Sequence, residues 1–141
     1  MVANALVENS KSAREWGWRL LEYLRPRPDV TLVGLFWASF DDVEWRLFIA
    51  VDYTDDLGPR EVRDILRSFL PSEVEADDSD EYLLTIADTA VVGPHDQSVR
   101  EARRWAAVRY GEQSVEPLRD VVNRPAFGWG EPYIYYLAPE K

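Results

Sequence analysis

The sequence predicts a single α+β domain over residues 1–141, with about four mostly antiparallel strands in one sheet packed with about three helices. Two observations indicate this class. Apolar and polar residues alternate between Val43 and Tyr53, which is the period of a strand. Elsewhere apolar residues recur at helical spacing in segments bounded by proline or glycine. No repeat or Gly/Ser-rich linker divides the chain, so one layered domain is expected. Residues 1–11 are interpreted as a flexible or helical N-terminal extension.

The first predicted helix runs from Ser12 to Arg25. Ser12 and Glu15 match the Ser-x-x-Glu capping box, in which each side chain satisfies a free amide of the first turn. Pro26 ends the helix, because the residue before a proline is disfavoured in the α region. The residues of its apolar stripe are Ala13, Trp16, Leu20, Leu21 and Leu24.

A β-hairpin is predicted next. The segment 30–40 is apolar on both faces, which is typical of an interior strand covered on both sides. Asp41 and Asp42 supply the turn, because short acidic side chains bond to their own backbone there. The alternating segment 43–53 is the second strand.

The rest of the chain predicts two more helices and two more strands. Pro59 suits the first position of a second helix, which Pro71 ends, and residues 72–81 are expected to be an exposed acidic loop. A third strand is predicted over 82–89. Asp96 is the expected N-cap of a helix that ends at Tyr110, with Gly111 as the left-handed residue beyond it. A final strand is predicted over 133–137.

The charge is strongly acidic and unevenly placed. The net charge is −10, and residues 41–96 carry sixteen acidic and four basic side chains. Such a surface repels nucleic-acid phosphates and attracts a basic protein surface, so we expect no nucleic-acid partner. The alternative is that the acidity serves only solubility.

The composition also favours one compartment. The chain has no cysteine, which excludes disulfides and thiolate chemistry. No apolar run approaches the ~20 residues of a membrane span, and the first eight residues are not typical of a secretory signal. We expect a cytoplasmic protein without membrane association.

Four carboxylates near the end of the second strand are the first candidate for chemistry. Asp52, Asp55, Asp56 and Glu61 offer the oxygen ligands that Mg²⁺ or Mn²⁺ prefers, which would suit a metal-dependent hydrolase. Turn and cap chemistry explains the same residues, and we assign no metal and no cofactor.

Other reactive groups are sparse. His95 is the only histidine, and no nucleophile motif accompanies it, so a solvated loop position is expected. We assign no catalytic residue, and the pattern favours a non-enzymatic role. Arg100, Arg103, Arg104 and Arg109 form a basic stripe that could hold phosphate or nucleic acid, with pairing to the acidic middle or solvation as the plainer alternative.

Aromatic residues supply the partner-binding candidates. Trp18 lies off the main stripe of the first helix, whereas Phe127 and Trp129 lie in a segment rich in glycine and proline. Exposed aromatic side chains, Trp and Tyr above all, are favoured anchors of protein interfaces. These three residues are therefore the predicted contacts, although core filling explains most aromatics of the chain.

Several segments resemble a family of small uncharacterised bacterial proteins. They are Phe36-Trp37, 44–50, Gly58-Pro59-Arg60-Glu61, 91–96 and Tyr133-Ile134-Tyr135. The resemblance covers roughly residues 30–137, and Asn123-Arg124 departs from it where the family has an Asn-Gly turn. It implies a bacterial cytoplasmic origin and a hairpin–helix–strand–helix–strand order, and it implies no activity.

The function predicted from these features is protein interaction or assembly, with a basic protein partner or a second copy of the chain. Two alternatives stay open. One is a metal-dependent hydrolase that uses the carboxylates after the second strand, and the other is phosphate or nucleic-acid binding by the third-helix arginines.

Overall fold

A computed structural model describes residues 10–39, 44–111, 113–116 and 132–139. Its helices are α1 (Ser10–Leu24), α2 (Pro59–Phe69), α3 (Glu73–Asp77) and α4 (Gln97–Tyr110), and one 3-10 turn covers Ile86–Asp88. Its strands are β1 (Leu32–Ala38), β2 (Arg46–Val51), β3 (Thr89–Val92) and β4 (Tyr133–Leu137). The α+β class is therefore confirmed, with one more short helix than predicted.

The four strands form one sheet in the order β3-β2-β1-β4. β1 pairs antiparallel with both β2 and β4, which confirms the predicted hairpin pairing. Its predicted turn at Asp41 and Asp42 lies outside the described residues. β3 pairs parallel with β2, so the sheet is mixed. Parallel neighbours need a long crossover connection, and residues 52–88 with α2 supply it.

Helices cover both faces of the sheet. One apolar cluster packs α1 and α2 against the first face, and a second cluster packs α4 against the other. All seven residues of β1 are buried, as its apolar pattern predicts for a strand covered on both sides. The register of β1 against β2 shifts between Leu32 and Gly34. This shift explains why Leu32 and Leu35, three positions apart, both face the α1 side.

The third strand was predicted too early in the chain. Residues 82–85 are irregular, and the chain then makes the 3-10 turn before β3 begins at Thr89. Leu84 is fully buried, so its segment is apolar because it fills the core and not because it belongs to the sheet. The Thr85 amide lies 3.5 Å from Asp88 Oδ2, so a side chain occupies the place of a ladder partner.

α1 begins at Ser10, so the predicted capping box at Ser12 and Glu15 is wrong and both residues lie inside the helix. The helix approaches the sheet closely at Gly17, where a Cβ atom would overlap the ring of Tyr135. The Tyr135 hydroxyl donates to the Arg14 carbonyl oxygen at 2.8 Å and accepts from Trp37 Nε1 at 3.1 Å. A glycine is therefore required for this contact.

The other helix signals are confirmed. Pro59 occupies the start of α2, and the Gly58 amide donates to Glu61 Oε2 at 3.1 Å. Asp96 Oδ2 accepts from the Ser98 amide at 3.0 Å and caps α4. Gly111 follows α4 with a φ of 71°, which is the left-handed conformation.

Candidate functional site

The predicted partner-binding aromatics do not form a described surface. Trp18 is only 5% exposed and packs edge-on against Tyr135 with 4.9 Å between ring centroids. The expectation that Trp18 lies off the core-facing stripe is wrong, because the close approach at Gly17 brings this part of α1 onto the sheet. Burial thus removes Trp18 from the accessible surface. Phe127 and Trp129 lie outside the described residues.

Among the carboxylates after β2, Glu61 serves as a cap group of α2. Asp55 and Asp56 are exposed, whereas the Glu61 carboxylate is bonded to the Gly58 amide at 3.1 Å. In residues 10–39, 44–111, 113–116 and 132–139, no three His, Cys, Asp or Glu side chains lie close enough together to hold a metal ion. Among these residues, the geometry gives the metal-dependent hydrolase no site.

His95 lies in the turn before α4, and its side chain is exposed, as expected for a loop histidine. The next residue, Asp96, uses its carboxylate to cap α4: besides the Ser98 amide, it accepts from Ser98 Oγ at 2.6 Å. Asp96 is thus engaged in the helix cap beside the histidine.

The arginines of α4 do not form one exposed stripe. Arg103 is buried at 9% exposure, and its Nη2 donates to the Ala138 carbonyl oxygen at 3.2 Å. Arg104 is exposed and pairs with Glu101 at 3.4 Å. The Arg109 guanidinium lies 5.7 Å from the ring centroid of Trp105. Of the four, only Arg100 and Arg104 are exposed and have no described aromatic ring against the guanidinium, so the predicted phosphate-binding stripe is divided.

Residues 72–81, which we call the acidic segment, form the most distinctive surface in the described part of the chain. The segment contains six acidic side chains and no basic one. All six are exposed, and none forms an ion pair with a described residue. They are Glu73, Glu75, Asp77, Asp78, Asp80 and Glu81.

An exposed apolar side chain lies among the carboxylates of the acidic segment. Val74, in the first turn of α3, is 70% exposed. In the described part of the chain, Val74 and Val108 are the only large hydrophobic residues with exposed side chains. A valine surrounded by carboxylates combines an apolar contact point with a negative rim, which is the arrangement of a small protein interface.

Local hydrogen bonds give the acidic segment its shape. The Glu75 amide donates to Ser72 Oγ at 3.1 Å, and the same hydroxyl donates to Glu75 Oε1 at 3.2 Å. These bonds make Ser72 the N-cap of α3 and hold a helical turn in a stretch that was predicted to be a plain loop.

Both ends of the acidic segment are attached to the core. Leu70, just before it, is buried at 8% exposure. Just after the segment, the carbonyl oxygen of Tyr82 accepts a hydrogen bond from Trp16 Nε1 at 3.2 Å. The Tyr82 hydroxyl donates to Asp88 Oδ2 at 3.0 Å. The acidic segment is therefore presented from two fixed points.

The Tyr82 and Asp88 pair is partly desolvated. Burial, and next the charge of Asp88, raise the pKa of the Tyr82 phenol, so this hydroxyl keeps the proton that it donates. Burial also raises the pKa of the Asp88 carboxyl, although the hydrogen bond from Tyr82 opposes that shift. The anchor of the acidic segment is thus sensitive to the ionisation of one carboxyl.

Sequence reasoning missed Val74 and the burial of Arg103. The sequence does contain a signal for α3, because Ser72 and Glu75 have the same Ser-x-x-Glu spacing as Ser12 and Glu15. No comparable signal marks Arg103, whose spacing from the other arginines suits a solvated face as well as a buried position.

Comparisons with protein-family models, with curated proteins and with solved structures found no match to this chain. A search of the described residues found no helix with the length and apolar character of a membrane span.

Proposed function

We propose that this protein is a protein-interaction domain of the bacterial cytoplasm that binds a basic partner through the acidic segment. The observation that carries the proposal is the 70% exposure of Val74 within a run of carboxylates that pair with no described cation. A basic partner surface would neutralise the carboxylates and cover the valine in one contact.

A hydrophobic and an electrostatic contribution would favour this complex. Covering an exposed valine contributes roughly 1–2 kcal/mol of hydrophobic free energy. Six carboxylates that form no ion pair with a described residue supply long-range attraction that raises the association rate and makes it sensitive to salt. Because rim charges act mainly on association, the valine is expected to determine the lifetime of the complex.

The capture test compares matched variants of the tagged protein in a bacterial lysate at moderate salt. The double variant Asp77→Asn/Asp78→Asn is compared with Asp55→Asn/Asp56→Asn, which removes the same charge from exposed positions outside the acidic segment. We expect the first pair to lose the captured protein and the second pair to retain it. Equal loss would indicate a net-charge effect, and equal retention would exclude the acidic segment as the contact.

Salt and self-association provide two further comparisons. The captured partner should be released between about 0.1 and 1 M salt, because the Debye length falls from ~10 to ~3 Å over that range. A captured protein that is only a second copy of the chain would replace the basic partner with homo-oligomerisation, and the solution mass would show it.

The predicted contacts at Phe127 and Trp129 belong to the same proposal as a second contact region. Variants Phe127→Ala and Trp129→Ala should weaken capture and leave the melting temperature unchanged if these aromatics touch the partner. Unchanged capture and unchanged solution mass would exclude them.

A further inference from the structure

Arg103 is a cation in an apolar layer. It lies on α4 between residues that pack against the sheet, and its exposed fraction is only 9%. Ala102 and Ala106, its neighbours on α4, belong to the apolar cluster between the helix and the sheet. The guanidinium carries a positive charge, so the fold places a cation at this position.

The hydrogen bonds from the described residues do not satisfy this guanidinium. Nη2 donates to the Ala138 carbonyl oxygen at 3.2 Å, whereas the buried Nε atom has no hydrogen-bond partner. Burying a charge is unfavourable unless the charge is paired and hydrogen-bonded, and one carbonyl bond does not offset that penalty.

No carboxylate of the described residues compensates for the charge either. Among them, none forms an ion pair with Arg103 or with Arg100, one turn earlier on the same helix. This shortage of carboxylate partners is local to Arg103 and Arg100, since the whole chain has 26 acidic residues against 16 basic ones. α4 itself carries four arginines and only one carboxylate, Glu101, which pairs with Arg104.

We propose that Arg103, assisted by Arg100, is the receptor for a single oxyanion, either a phosphate group or a carboxylate. The Nε and Nη2 edge of a guanidinium presents two parallel N–H donors that match two oxygens of such a group. Nη2 carries a second hydrogen, so it binds the oxyanion and keeps its bond to Ala138. Arg100, one turn earlier on α4, is exposed and adds positive charge near the site.

This site lies on the other side of the sheet from α2, because α4 packs against the opposite face. It is therefore independent of the proposed contact at the acidic segment. The oxyanion has two sources with the same chemistry: a free phosphate compound, or an acidic side chain of a second protein.

The direct test is an NMR titration of the arginine Nε–H signals in the unmodified protein. Inorganic phosphate is added in one series and acetate in the other, with ionic strength held constant by sodium chloride. We expect a saturable shift of the Arg103 Nε signal, assigned by through-bond correlation. A response to phosphate alone indicates a free phosphate compound, whereas any response to acetate shows that the site accepts a carboxylate, as an acidic side chain of a second protein would present it. An Arg103 signal that neither anion moves at ~50 mM overturns the proposal.

Thermal melting provides the second test, with Arg103→Lys and the matched control Arg104→Lys. Lysine keeps the charge and lacks the Nε donor, so phosphate should raise the Tm of the unmodified protein and of the control but not of Arg103→Lys. At ~30 times the dissociation constant, phosphate should raise the folded-to-unfolded ratio about 30-fold. An equal rise in all three proteins would mean general salt stabilisation and would overturn the proposal. If Arg103→Lys does not fold, the NMR titration decides alone.

Discussion

Replacing Gly17 by alanine tests how α1 contacts the sheet. An alanine normally stabilises a helix interior by about 1 kcal/mol over glycine. Here the new Cβ would overlap Cζ and the hydroxyl of Tyr135, well inside the ~3.5 Å at which carbon atoms pack. Tyr135 is fully buried, so the ring has no free space into which it can move.

Three contributions determine how much free energy of unfolding Gly17→Ala should lose. Relief of an overlap in a packed core costs about 1–3 kcal/mol, and this overlap is expected near the upper end. Moving the ring also disturbs the bonds from Tyr135 to the Arg14 carbonyl oxygen and from Trp37 Nε1, at roughly 1 kcal/mol net. The loss is moderated because Trp37 Nε1 also lies 3.3 Å from the Ala13 carbonyl oxygen. After the helix gain is subtracted, we expect Gly17→Ala to lower the free energy of unfolding by about 3 kcal/mol.

Urea unfolding followed by tryptophan fluorescence measures this loss as a lower midpoint at an unchanged slope. Tyr135→Leu shortens the ring-bearing side chain, so the double variant should lose about 2 kcal/mol less than the sum of the single variants. Tyr135→Phe keeps Cζ and should give no such rescue. A Gly17→Ala variant that is about 1 kcal/mol more stable than the unmodified protein would refute the close approach.

Three further predictions concern the ends of α4 and the anchor of the acidic segment. Asp96→Ala should cost about 1 kcal/mol in urea unfolding, because the Ser98 amide loses its cap, and Asp96→Asn should recover most of that loss. Gly111→Ala should cost about 1 kcal/mol at its left-handed φ, with Gly111→Asn less affected, and equal stabilities would contradict that geometry. Burial raises the folded-state pKa of Asp88 above the usual 3.8, so its contribution to stability is present below that value and is lost as pH rises through the folded pKa. Measured from pH 3.5 to 7, the free energy of unfolding of the unmodified protein should therefore fall relative to that of Asp88→Asn as pH rises. If the unmodified protein kept or gained stability relative to Asp88→Asn over this range, the burial of Asp88 would be contradicted.

The elements predicted most accurately have local signals. α4 has an aspartate cap and a terminal glycine, β4 is a short aromatic strand, and Pro59 marks the start of α2. Each signal reports a backbone requirement of its own segment, so no knowledge of the rest of the chain is needed.

The errors arise where tertiary packing decides. Leu84 makes its segment apolar by filling the core, and β3 pairs parallel because a crossover brings it beside β2. The sequence predicts Trp18 off the apolar stripe of α1, and this is wrong because the width of a buried helix face depends on how closely the helix approaches the sheet. Gly17 sets that distance. The burial of Arg103 likewise depends on the position of α4 over β4.

The candidate surface was predicted only in part. The acidic excess of residues 41–96 located the region, because charge is additive along a sequence. The exposure of Val74 was not predicted, because a five-residue helix buries none of its side chains and has no apolar period to detect.

Photo-crosslinking at Val74 tests the interaction proposal most directly. A photoreactive amino acid is placed at position 74, and in a matched control at position 108, where the other exposed valine of the described residues is 83% exposed. Irradiation in bacterial cells should give one dominant covalent product from position 74, with a basic protein, and none from position 108. Equal products from both positions, or no product from position 74, would contradict the proposal that the acidic segment is the binding surface.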